Sequence, residues 1–401
     1  MLSFALGCQG FQTLATHSLS PSVLSIRKSE NSMQKLTRIL FTTALTLSIL
    51  CFPTAAFAKA KIQIAILLDS SNSMDGLIDQ TRTQLWQIVN FLTKVTKDGE
   101  VPELEVALYH YGNDSLPSSE GFVRLLTGFT PELDLVSEKL FSIKTNGGQE
   151  YAGWVIRSAM QQLNWSKNQE DFRVIFIAGN EPFDQGPVVW NQSVNLAVKG
   201  DTLVNTIYCG SVESQERRLW ASGAELAKGS SFNINQNQQI VVIKSPYDDE
   251  ISTWNTKLNQ TYIPYGREGR IGQQRQAAED SNAGISGASR SSSKASEYYD
   301  NASWDLLDAL EDGTVKLEAI SDDNLPEIMR GMTLTEKRAY VAGKKTEREA
   351  IKKTIRDLSQ KRTAYIEQQR QSSTNGGENT LDRVIIQSLR QQLAAKGFKL
   401  N

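Results

Sequence analysis

The run Ile64-Ala65-Ile66-Leu67-Leu68-Asp69-Ser70-Ser71-Asn72-Ser73-Met74 ends an apolar stretch on a carboxylate and then sets hydroxyls at alternate places, Ser71 and Ser73. Oxygen donors of this kind suit a hard cation. Magnesium takes near-octahedral oxygen coordination and keeps several waters, so a few side chains from separate loops suffice. In an open α/β sheet the ligand site lies outside the carboxyl ends of the strands, which is where this run would stand. Asp and Ser after a strand are also ordinary turn and N-cap residues for the helix that follows, and the run by itself leaves both readings open.

Covalent chemistry finds less support. Phosphotransfer on an Asp after the first strand needs a second Asp two residues on, where this chain has Ser71. Of the two histidines, His17 lies in the leader and His110 in an expected strand, so a Ser-His-Asp triad would have to use His110. No phosphate-cradling Gly-Lys-Ser/Thr loop is present, and Cys209 ends a strand with no second thiol near it in sequence. The expectation is a protein that is not an enzyme, with an unrecognised hydrolase as the third reading.

The elements that must position Asp69 follow from apolar patterning. Residues 62–68 are apolar apart from Gln63, as in a central strand buried on both faces. Leu77, Leu85, Ile88, Val89, Leu92 and Val95 then recur at helical spacing. Strands are expected at 104–111 and 122–126, the two forming a hairpin, and at 173–178, 202–209 and near Phe232 and Ile234. Helices are expected from Pro131, over 152–163, 188–198 and 213–228. Six strands with interleaved helices make one doubly wound, mostly parallel α/β sheet flanked by helices, over residues 59–245.

This run resembles the Asp-x-Ser-x-Ser signature of the metal-ion-dependent adhesion site in von Willebrand factor type A (VWA) domains, and the resemblance covers roughly residues 60 to 245. It implies a VWA/Rossmann-like fold and a divalent cation held by Asp69, directly or through water, and by Ser71 and Ser73, with an open position for an acidic side chain of a partner protein. Two loops depart from that pattern. The second usually has a Thr after paired glycines, whereas Gly147-Gly148 are followed here by Gln149-Glu150. The third usually has an Asp after its strand, where Gly179 stands before Asn180-Glu181. Glu150 and Glu181 are therefore the candidate substitute ligands, and Mg2+ is the expected cation, with Mn2+ or Ca2+ as alternatives.

Outside this region, residues 1–58 read as a leader and signal peptide. From the expected start at Met33, Lys35 and Arg38 precede the apolar 39–52, and Ala56-Phe57-Ala58 is a small-residue cleavage signature, so cleavage is expected after Ala58. That implies a periplasmic or secreted protein without a stable membrane span after cleavage. Cys8 and Cys51 fall in this segment, and Cys209 alone remains, so no disulfide framework is expected. A net charge of −2 gives no basic excess, and no nucleic-acid partner is expected.

Residues 246–300 read as a helix followed by a flexible link over the Ser-, Gly- and Ala-rich 281–296, and 301–401 as a helical C-terminal region. In that region 334–371 contain no Pro, and Ile351, Ile355, Leu358 and Tyr365 form a narrow apolar stripe. The stripe fits a coiled coil, through which copies of the chain would self-associate, or a helix packed on the main domain. A further helix is expected over 381–395, after Asn375-Gly376-Gly377. The expected function is metal-dependent protein–protein interaction, the alternative a metal-free scaffold binding through the helical C-terminal region.

Overall fold

The computed structural model describes residues 59–235, 237, 243–372 and 380–400. The expected leader with its expected cleavage site, Cys8, Cys51, His17 and the expected Asn375-Gly376-Gly377 break lie outside the described residues.

Strand β1 (Lys61–Asp69) is followed by helix α1 (Asp75–Leu92), the two-residue β2 (Val95–Thr96), β3 (Glu103–Tyr111) and β4 (Val123–Thr130). Next come α2 (Leu133–Ser142), α3 (Ala152–Gln162), β5 (Phe172–Gly179), α4 (Trp190–Lys199), β6 (Leu203–Tyr208), α5 (Glu216–Leu226) and β7 (Ser231–Asn233). The sheet order is β4-β3-β1-β5-β6-β7. All neighbours are parallel except the β3–β4 hairpin. β1 is central, which is why its sequence is apolar on both faces rather than alternating. Every parallel strand ends at one edge, and Asp69 there pairs in register with Tyr111 while Leu68 pairs with Ala178.

Two cores result. On one face of the sheet α1 and α2 bury Trp86, Leu92, Val136 and Leu140 against Ile62, Val106 and Val174. On the other, α3, α4 and α5 bury Val155, Val194 and Trp220 against Leu67, Ile175 and Ile177. The first core has an unexpected member, helix α11, formed by Leu381–Ala395, whose Leu381, Val384, Leu389 and Leu393 join it. The strand after it, β8 (Lys399–Leu400), pairs antiparallel with β2. The end of the chain is thus built into the α/β body, although the sequence reading assigns it to a separate helical region.

The segment between is also structured, which corrects the flexible link. After α6 (Asp248–Asn259), residues 269–294 form α7 (Gly269–Asn282), a short 3-10 turn and α8 (Gly287–Lys294). Arg290 and Lys294 are buried there. Arg290 pairs with Asp134 of α2 and Asp280, and its guanidinium lies 4.7 Å from the centre of the Trp86 ring. Lys294 is held by Asp280 at 3.0 Å. Small residues read as flexible because they make few local contacts. Here they let α8 approach α1 closely enough for Ser293 Oγ to meet Asn90 Oδ1 at 2.9 Å.

Short α9 (Leu306–Glu311) precedes α10 (Leu334–Ser372), the long helix expected at that place. Its stripe is used inside the chain. Ile351, Ile355 and Leu358 pack with Ile251, Leu258, Tyr299 and Trp304, so these three are covered by the protein's own helices and not presented to a second copy. Several of its basic residues are paired, Lys337 with Asp322, Lys345 with Glu311 and Arg348 with Asp305 among them. Among the described residues no helix is long and apolar enough to cross a membrane.

Candidate metal centre

Asp69 is fully buried at the end of β1. Its Oδ1 accepts the Ser71 backbone N–H at 2.8 Å, the turn role that such a residue ordinarily plays. Its Oδ2 is buried and has no donor. Ser71 and Ser73 do not act as caps: neither the 3-10 turn at Asn72–Met74 nor α1 has a side-chain N-cap. Their hydroxyls instead lie 3.1 Å from one another, and Asn180 Nδ2 donates to Ser73 Oγ at 3.0 Å. Asn180 Oδ1 is a second buried acceptor without a donor.

Glu150 arrives from the loop between α2 and α3. Its carboxyl group acts electrostatically on Asp69, and its Oε2 is a third buried oxygen without a donor. Burial pushes Asp69 up to about 7 against the usual carboxylate range, with Glu181 adding to the shift. Burial, then the charge of Asp69, pushes Glu150 up to about 9. The two titrate as a pair: side by side and buried, they cannot both be ionised without cost unless positive charge stands with them.

Room for this pair comes from glycine. Gly112, directly after β3, has φ of +72°, and a Cβ there would stand 2.6 Å from Glu150 Cγ and 2.8 Å from Asp69 Oδ1. A Cβ on Gly148 would in turn stand 2.6 Å from the Gly112 carbonyl oxygen. The paired glycines of the second loop thus bring Glu150 over Gly112 and onto Asp69. Asn113 ties the same loops together, its Nδ2 donating to the carbonyls of Ser70 at 3.1 Å and Lys144 at 2.8 Å.

Of the two substitute carboxylates, the fold brings only Glu150 into contact with Asp69. Glu181 is exposed at the rim, its backbone carbonyl accepting from Trp220 Nε1 at 2.8 Å, and it reaches the pair through its charge alone. Gly179 has a definite neighbour. A Cβ there would stand 2.5 Å from the Tyr111 hydroxyl, which donates to the Ala178 carbonyl at 3.1 Å, so Tyr111 occupies the space that a third-loop side chain would enter. Sequence reading did not single out Tyr111, Gly112, Asn113 or Asn180. The signal available was that Tyr111-Gly112-Asn113 closes the strand expected beside β1.

The donor set is two carboxylates, two hydroxyls and a carboxamide. No group of three or more His, Cys, Asp or Glu side chains is gathered among the described residues. All-oxygen donors with three buried oxygens lacking any donor fit a hard divalent cation. His110 does not fit a base. It is buried, its Nδ1 lies 2.9 Å from Ser70 Oγ, and burial pushes it down to about 4. Ser70 is itself fully buried and donates to the Tyr111 carbonyl. Burial raises the Cys209 thiol well above its usual value.

No protein-family model matches the chain, and no curated protein matches it. Solved structures do. Proximal thread matrix protein 1 from the mussel byssus is 15% identical over 44% of this chain and 42% of its own, with a TM-score of 0.34. A structure of the same protein with a zinc-occupied MIDAS motif is 13% identical over 45% and 43%, with a TM-score of 0.33. The SpRpn10 VWA domain is 16% identical over 44% of this chain and 89% of its own, with a TM-score of 0.32. The present chain thus spans less than half of the mussel protein. At such low identity and TM-score none of these likenesses says what this chain binds.

Proposed function

We propose that residues 59–245 form a VWA-type interaction module that holds a divalent cation at the carboxyl edge of its sheet and uses it to engage an acidic side chain of another protein. Asp69, Ser71 and Ser73 would hold the ion, Glu150 would be the second carboxylate, and Glu181 would add negative charge at the rim. Mg2+ is the first choice, with Mn2+ or Ca2+ as alternatives. Such an ion supplies positive charge; the chain's residues supply its position, and no bond is made or broken. An exported protein, periplasmic or secreted after cleavage at Ala58, is the setting we propose.

The observation that carries this reading is the pair of buried carboxylate oxygens, Asp69 Oδ2 and Glu150 Oε2, that find no donor in the protein and lie beside the uncapped hydroxyls of Ser71 and Ser73. Leaving such groups unpaired costs several kcal/mol or a trapped proton, and a cation removes that cost. A metal-free scaffold is the second reading. It is favoured by the Tyr111 hydroxyl standing where a side chain at 179 would extend, and by a carboxyl pair able to share one proton.

Thermal unfolding with millimolar Mg2+, Mn2+ or Ca2+, beside Asp69→Ala, separates them. A cation at about a hundred times its dissociation constant adds about 3 kcal/mol, a rise of several degrees. A rise that vanishes in Asp69→Ala supports the cation. No rise in either protein favours the metal-free scaffold.

A further inference from the structure

Asp69 and Ser71 face a carboxylate of their own chain. Asp69 is 0% exposed, Ser71 3% and Glu150 7%, whereas Asn72 and Ser73 are open to solvent. The Glu150 side chain is packed beside Asp69, both meeting the space at Gly112, where a Cβ would stand 2.6 Å from Glu150 Cγ and 2.8 Å from Asp69 Oδ1. Asp69 and Ser71 are thus closed to solvent with Glu150 beside them, and Ser73 is the donor left open.

We propose that Glu150 is an internal ligand of the site, occupying the position a partner's carboxylate would take, so that partner engagement requires Glu150 to leave. This deepens the cation reading above and rests on it. Charge supports the same conclusion. A divalent cation beside Asp69 and Glu150 is already neutralised, and Glu181 adds a third negative charge nearby, so an incoming carboxylate meets no net attraction. With Glu150 withdrawn, one positive charge is restored.

The loop is built to hold Glu150 in place from outside its own segment. Residues 143–151 have no regular secondary structure, and the Glu150 backbone N–H donates to Gln185 Oε1 at 2.5 Å, on the loop after β5. That loop is fitted to its neighbour: Gly186 has φ of +95°, and a Cβ there would stand 2.4 Å from the Tyr151 ring. Gln185 therefore acts as the latch on the internal ligand, and a partner that engages the loop at 182–187 could release it.

The test loads the protein with Mn2+ and reads the enhancement of water-proton relaxation, which reports water on the ion, while acetate is added as the carboxylate probe. Expected for the unaltered protein is Mn2+ binding that Asp69→Ala abolishes, low enhancement, and little response to acetate. Glu150→Ala should weaken Mn2+ binding without abolishing it, raise the enhancement per bound ion as water enters the vacated place, and bind acetate about tenfold more tightly once loaded. Glu150→Gln, which keeps the shape but loses the charge, should lie between, and Gln185→Ala should move in the same direction. Mn2+ that binds equally to Asp69→Ala would overturn the cation reading itself. Mn2+ binding that needs Asp69 but is lost in both Glu150 variants, or acetate affinity unchanged in them, would overturn the internal ligand alone.

Discussion

Arg348 closes on Asp305 with both terminal nitrogens, Nη1 donating to Oδ2 at 2.6 Å and Nη2 to Oδ1 at 3.0 Å. The two side chains are 4% and 0% exposed. Asp305 also accepts the backbone N–H of Ile263 at 2.6 Å and caps α9 by accepting from Asp308 N at 3.1 Å. One carboxylate therefore joins α10, α9 and the chain after α6.

Removing one partner of a buried, fully bonded pair leaves the other charge stranded. Arg348→Ala should cost about 3–5 kcal/mol in urea unfolding. Asp305→Asn keeps the cap and loses the charge, so the double variant should be less destabilised than the sum of the single ones. Additive costs would mean that the pair contributes nothing as a pair.

The carboxyl pair gives a pH dependence whose sign can be worked out. Asp69 near 7 and Glu150 near 9 sit above their unfolded values of 3.8 and 4.5, so the folded protein holds more protons between about pH 4 and 9. In chelator, their contribution to stability should therefore fall as pH rises through that window, because the native site must ionise against burial. With millimolar Mg2+ the fall should flatten or reverse, since the ion takes the proton's place. Melting temperature against pH, with and without Mg2+ and in Asp69→Asn, measures this; a fall equally steep in Asp69→Asn would assign it elsewhere.

Gly179 is held small by Tyr111 and Trp220, which a Cβ would meet at 2.5 and 3.0 Å. Gly179→Ala should cost about 1–3 kcal/mol by overpacking. Because the nearest atom is the Tyr111 hydroxyl, the same change should cost less in a Tyr111→Phe background. Urea midpoints of the four proteins decide it.

Helix α11 belongs to the main core. Leu389, 0% exposed, should cost about 2–5 kcal/mol as Leu389→Ala. The exposed Gln391→Ala on the same helix should stay within about 0.5 kcal/mol. An independent C-terminal tail would instead let Leu389→Ala leave the melting of the α/β domain unchanged.

Much of the fold was legible because its signals are local. The run at 62–68, apolar apart from Gln63, announces a strand buried on both faces, and the hairpin of β3 and β4 follows from two apolar runs across a polar loop. The 39-residue α10 follows from a long stretch without Pro. The stripe at Ile351, Ile355 and Leu358 announced that something covers α10, but a coiled-coil partner and the chain's own α6 and α8 demand the same apolar spacing. Residues 281–296 misled for the opposite reason: small residues look flexible when only their neighbours in sequence are considered.

By itself the sequence determined the α/β alternation, the place of Asp69 at a strand end and the oxygen chemistry of Asp69, Ser71 and Ser73, because each depends on residue types a few positions apart. It offered Glu150 and Glu181 as equal substitutes. Only the tertiary structure shows which of them lies beside Asp69. Gly148 against Gly112 turns the second loop inward and sets Glu150 on Asp69, while the third loop leaves Glu181 at the rim. It likewise filled the space beside Gly179 with Tyr111 and drew α11 into the main core. These contacts join residues far apart in the chain, and which of them form depends on how the whole sheet and its helices pack, information that no local spacing carries.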